Sequence, residues 1–109
     1  MQVDLKFGAR KPSFGDVFQL CGETHPRFPP SGQFPFESLA DLGIEQVDDY
    51  FAVTDDGEPV IWIFPLVDGE VVDHHPGPFD GLRLELSDPD QEERFENCVT
   101  RFREALRLS

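Results

Sequence analysis

Between Arg27 and Arg83 the chain carries neither lysine nor arginine. The same interval holds twelve acids: Glu37, Asp41, Glu45, Asp48, Asp49, Asp55, Asp56, Glu58, Asp68, Glu70, Asp73 and Asp80. With 22 acidic residues against nine basic ones, the net charge is −13. Such a field repels nucleic-acid phosphates and anionic membranes and attracts basic surfaces. Long apolar runs are also missing. The longest, Val60-Ile61-Trp62-Ile63-Phe64-Pro65-Leu66-Val67, contains a proline and falls well short of the roughly 20 residues a membrane helix needs. Met1 to Phe7 lacks the basic and then apolar order of a secretory signal, so a cytoplasmic chain is expected. Cysteine is limited to Cys21 and Cys98. Both fall on apolar faces of expected helices, where free thiols fit better than a disulfide. Tryptophan and tyrosine occur once each against eleven phenylalanines, which makes phenylalanine the main bulky group.

Signatures of catalysis are scarce as well. There is no Gly-x-Ser-x-Gly, no phosphate-cradling glycine loop and no dinucleotide fingerprint. Cys21 and His25 stand four apart and His74 and His75 are adjacent, but zinc is usually held by two well-spaced pairs. Neighbouring histidines at a strand end point to opposite faces and do not readily chelate one ion. Cys98 lies in an apolar stripe, where its thiol is expected to be unreactive. Asp55-Asp56-Gly57-Glu58 is too short for a calcium loop and reads as a turn. No catalytic residue, cofactor or metal is therefore expected. A small metal-dependent enzyme is the alternative from a different class.

What is present points to one α+β domain over 1–109, a length that suits a single modest core. Val3 to Phe7 alternates apolar and polar residues like a short edge strand. Ser13 with Asp16 three residues later approximates a capping box. Phe14, Val17, Phe18 and Cys21 then follow at helical spacing, predicting a helix over 14–21 closed by Gly22. Pro26, Pro29, Pro30 and Pro35 oppose regular structure across 22–36. Phe28, Phe34 and Phe36 are expected either to pin this loop to the core or to form part of a binding surface. Residues 37–42 suggest a turn or two of helix ended by Gly43.

The middle reads as a β-meander. Residues 50–54 form a strand, 55–58 a turn, and 60–66 a strand too apolar to be half exposed and therefore central. Pro65 is expected to end or bulge that strand. Asp68-Gly69 predicts a hairpin with a returning strand over 70–74. An irregular link follows at 75–81, and Leu82, Leu84 and Leu86 mark a strand with one buried face. Ser87 or Asp88 with Pro89 opens a terminal helix. Its apolar stripe is Phe95, Cys98, Val99, Phe102 and Leu106, and Arg101, Arg103 and Arg107 complement its negative end. The expected architecture is a small antiparallel meander packed against a C-terminal helix, with a short N-terminal helix.

The order Tyr50-Phe51-Ala52-Val53, Asp55-Asp56-Gly57, Pro59-Val60-Ile61-Trp62, Asp68-Gly69-Glu70-Val71-Val72 and Asp73-His74 resembles the central part of the SUKH superfamily. Phe95 and Phe102 on a terminal helix resemble its ending. The likeness covers roughly residues 36–106, and the family's opening helix with its aromatic-Leu-Pro stretch is not evident. The resemblance implies an α+β module whose members often act as immunity proteins against secreted toxins in the cytoplasm. It implies no catalytic residues.

The functional expectation is a protein-binding module, of the immunity or inhibitor type, that neutralises a partner with a basic functional site such as a toxin or nuclease. The alternative is a charge mimic of nucleic acid. Neither direct nucleic-acid binding nor membrane binding is expected. The candidate interface comprises Phe34, Phe36, Asp41, Glu45, Asp48, Asp49, Asp55, Asp56, Glu58, Asp68 and Asp73. It follows from the long interval without cations, which predicts a face of one sign.

Overall fold

Seven residues make a poor helix in isolation, because fewer than about 12–15 residues rarely offset the cost of nucleation in water. The first helix is held by its ends and by one apolar face. In the computed structural model, which describes residues 1–8, 11–22, 27–28, 39, 41–73 and 77–107 (backbone only for 106 and 107), α1 spans Phe14–Leu20. The Ser13 amide donates to the Asp16 carboxylate at 2.9 Å, which satisfies a donor the helix itself leaves unpaired. Phe14, Val17 and Phe18 are buried, and each such burial contributes about 1.5–3 kcal/mol. Cys21 follows as the C-cap, with Gly22 at φ +80°, as the glycine stop predicts.

Six strands form one antiparallel sheet: β1 (Gln2–Lys6), β2 (Ile44–Val47), β3 (Tyr50–Asp55), β4 (Glu58–Val67), β5 (Glu70–Val71) and β6 (Gly81–Leu86). The order is β1-β6-β4-β3-β2, with β5 added to the end of β4. The apolar run of β4 is central as expected, between β3 and β6, and β1 is an edge. The turn residues behave as their chemistry requires. Asp56 and Gly57 both have positive φ, as do Asp68 and Gly69, the backbone sense that suits two-residue hairpins.

Several local expectations need correction. The returning strand after Asp68-Gly69 is two residues long, and β6 takes the place beside β4. Pro65 does not end β4, which continues to Val67. Its carbonyl accepts from the Val72 amide at 3.0 Å, on the side where β3 has already ended, so the missing proline N–H breaks no long ladder. The register shift lies elsewhere. Val53 opposes Ile61 and Thr54 opposes Pro59, which leaves Val60 as the extra residue of a bulge. The strand Ile44–Val47 was not anticipated.

The second helix, α2 (Glu92–Arg107), follows a 3-10 turn at Pro89–Gln91. Asp88 caps that turn by accepting from the Asp90 amide at 3.0 Å. Phe95, Cys98, Val99, Phe102 and Ala105 are buried, and they join Phe14, Val17, Phe18, Phe51, Val53, Ile61, Ile63, Leu82 and Leu84 in one cluster. Both helices therefore cover the same face of the sheet. Phe79, in the irregular link, is fully buried and packs on Phe7 and Phe14 at ring distances of 5.8 and 5.7 Å. Phe28 packs on Phe14 and Phe18, each at 6.0 Å, so this phenylalanine does pin the proline-rich segment. Phe34, Phe36, the three histidines and half of the 37–42 turn lie outside the described residues.

Candidate protein-interaction face

Side chains along a strand alternate between the two faces of a sheet. Because Phe51, Val53, Ile61, Ile63, Leu82 and Leu84 face the helices, their neighbours must face away. The register places Glu45 opposite Ala52 and Val47 opposite Tyr50. It places Ala52 opposite Trp62, and on the other flank of β4 it sets Trp62 opposite Glu85 and Phe64 opposite Arg83. Asp4 lies opposite Arg83. The open face thus carries Tyr50, Trp62 and Phe64 at its centre, on the neighbouring inner strands β3 and β4, with charged residues toward both edges.

The three rings form one cluster. Trp62 and Phe64 have centroids 5.7 Å apart and planes within 7° of parallel. Tyr50 meets Phe64 edge-on at 5.0 Å and 81°, an arrangement that matches positive ring edge to negative ring face. All three are partly exposed, whereas Ala52 beneath them is fully buried. Among the described residues neither the Tyr50 hydroxyl nor the Trp62 indole N–H has a hydrogen-bond partner, and neither is buried. Rings with a wet polar tip and an apolar body are the type enriched at protein interfaces.

The polar margin is largely self-satisfied toward the edges. Arg83 donates twice to Asp4, at 2.8 and 3.0 Å. These bonds hold the Asp4 carboxyl below its ordinary range and raise the Arg83 guanidinium. Thr54 donates its hydroxyl to Glu45. Glu85 is exposed beside Trp62.

The acidic candidates do not gather on one face. Asp55, Asp56 and Glu58 form the β3–β4 turn, at the sheet end where β6 finishes and α2 begins. Asp48 and Asp49 form the β2–β3 turn at the opposite end, together with Asp68 in the β4–β5 turn and Asp73 just after β5. The interval without cations is continuous in sequence but is divided by the hairpins. Several of its acids are engaged within the chain, Glu45 by the Thr54 hydroxyl and Asp80 by the Asp68 amide among them. Asp41 accepts two hydrogen bonds from Arg101, at 3.0 and 2.6 Å, which lower its carboxyl and raise the arginine. Asp55 pairs with Arg94 at 2.7 Å. Arg101, near the negative end of α2, thus also ties the helix to the loop aspartate Asp41.

The aromatic face was not singled out from the sequence. The signal was the run Trp62-Ile63-Phe64, too apolar for a strand with one wet face, next to the only tyrosine. Among the described residues no group of His, Cys, Asp or Glu is arranged to hold a metal ion. Two surface depressions are shallow and mainly polar, one along Glu45–Val47 beside Cys21 and one along Asp90–Asn97. Cys98 is buried, and desolvation pushes its thiol up to about 11, the direction that suppresses thiolate formation. No helix among the described residues is long and apolar enough to cross a membrane. No family model, no curated protein and no solved structure matches this chain.

Proposed function

We propose that this chain is an acidic protein-binding module that covers a basic functional surface of another protein, in the manner of an inhibitor or immunity protein. One observation carries the reading: a sheet face with no helix over it among the described residues holds Tyr50, Trp62 and Phe64 as a packed, partly exposed cluster. An aromatic centre with polar groups around it is the usual anatomy of a binding surface, where a few large rings supply most of the energy. The carboxylates of Asp48, Asp49, Asp56, Glu58 and Asp68 stand exposed in the turns beyond both ends of this face. They would speed encounter with a basic partner over distances of about a Debye length, roughly 8–10 Å in ordinary salt. The resemblance of the middle strands to the SUKH superfamily supports the same reading.

The test is retention of basic proteins on the immobilised chain at low salt. Raising the salt, or reversing Asp48, Asp49 and Asp56 together to lysine, is expected to slow capture. Trp62→Ala is expected to abolish retention while the chain stays folded. Retention indifferent to all three changes, or none by the unaltered chain, would overturn the proposal.

A further inference from the structure

The aromatic centre also has a direction, which bears on what it recognises within the binding reading above. Trp62 touches one other described ring, that of Phe64 two residues along the strand, and the other face of Phe64's surroundings is taken by the edge-on Tyr50. On the opposite side of Trp62 the next position on the open face would fall to Val60. The bulge sends Val60 into the helix-side core instead, where it is 6% exposed. Trp62 is therefore the last aromatic ring of the row, with Pro59 opposite Thr54 beyond it, at the end nearest the Asp55–Glu58 turn.

Carboxylates flank it on both sides. Glu85 is its register partner on β6, and Glu45 lies across β3 as the partner of Ala52. Directly opposed side chains stand about 4.5–5.5 Å apart at Cβ, which puts Glu85 beside the indole. Glu45 lies one strand further, about 9–10 Å from Trp62, and also accepts from the Thr54 hydroxyl, so a group laid over the indole lies between the two carboxylates. Arg83, the arginine of this face, is held by Asp4 in two hydrogen bonds, and Lys6 lies at the far edge on β1.

We propose that the open face seats an arginine of a basic partner protein, with its guanidinium laid on the Trp62 indole and its N–H groups directed to Glu85 and Glu45. A guanidinium is planar, weakly hydrated and forked, so it stacks on a ring and serves two carboxylates at once. An ammonium is compact and gives up its water reluctantly. Charge selects among other occupants. A second copy would bring a further −13 charge, and nucleic acid would bring phosphates to the same carboxylates.

The experiment compares dye-labelled oligo-arginine and oligo-lysine peptides of equal length, titrated with the whole chain at low salt and read by anisotropy. Trp62 is the only tryptophan, so its fluorescence reports directly on the site. The arginine peptide should bind about fivefold or more tightly than the lysine peptide and should shift Trp62 emission. The preference should vanish in Trp62→Leu and shrink in Glu85→Gln, a surface change that spares the core. Equal binding of both peptides, or a preference that survives both variants, overturns the arginine assignment and leaves the basic-partner reading standing. Binding of neither peptide overturns both.

Discussion

The two faces of this sheet differ in what covers their apolar groups. On one, α1 and α2 bury Phe51, Val53, Ile61, Ile63, Leu82 and Leu84 in a single cluster with Phe14, Phe95 and Phe102. On the other, Tyr50, Trp62 and Phe64 pack only on one another among the described rings and stay partly exposed. Both faces are apolar at the centre, because β4 carries large residues at successive positions. A strand with one wet face alternates apolar with polar groups. The excess on β4 is apolar surface that folding leaves in contact with water. The comparison separates groups that hold the fold from groups available to a partner.

Substitutions can break that contrast, and the largest effect belongs to the covered face. Phe51→Ala should cost about 3–5 kcal/mol through lost transfer energy and an unfilled cavity, read as a lower urea midpoint. If it costs no more than Trp62→Ala, the division between the faces is wrong. Gly81→Ala should come next, at about 1–3 kcal/mol. A Cβ there would lie 2.7 Å from the Leu5 carbonyl oxygen, so β1 must move away from β6. Hydrogen exchange should show β1 amides losing protection first, and unchanged protection would argue that the edge absorbs the atom freely.

Trp62→Ala on the open face should cost about 1–2 kcal/mol, since its ring is only partly buried, while removing partner retention altogether. A large stability loss with intact retention would reverse the roles assigned to the two faces. The smallest effect concerns Asp4. Hydrogen bonding to Arg83 lowers its carboxyl in the folded chain, so its contribution is present above the unfolded carboxyl range, near pH 4, and is lost as the pH falls through the lower folded value. Asp4→Asn should flatten this part of the acid limb, with little effect in high salt because the pair is exposed. Urea midpoints measured across that acid range check it, and an unchanged acid limb would show that the pair contributes nothing measurable.

Much of the local structure was legible because its causes are local. Ser13 and Asp16 mark a helix start within three positions, and Asp56-Gly57 and Asp68-Gly69 set turns by their own backbone preferences. The site was less legible. The candidates were chosen by charge, and charge is a property of the interval rather than of a face. The hairpins send Asp48 and Asp49 to one end and Asp56 and Glu58 to the other. The aromatic cluster is not legible in the sequence because Trp62 and Phe64 are equally suited to filling a central strand covered on both sides. Whether a central strand is covered on both sides depends on where the helices dock.

From its residues alone, the chain determines its acidity, its turns, the ends of its helices, the apolar stripe of α2 and the central place of β4. These follow from forces that act within a few residues or from simple counts of charge. Only the tertiary structure decided that β6 lies between β1 and β4, that Asp4 meets Arg83 across 79 positions, and that Arg101 and Arg94 reach back to Asp41 and Asp55. It also turned Val60 inward and placed both helices on one face, leaving Trp62 at the end of a row that no described helix covers. These outcomes depend on which distant segments pair and which surface they bury, and no local pattern encodes that choice.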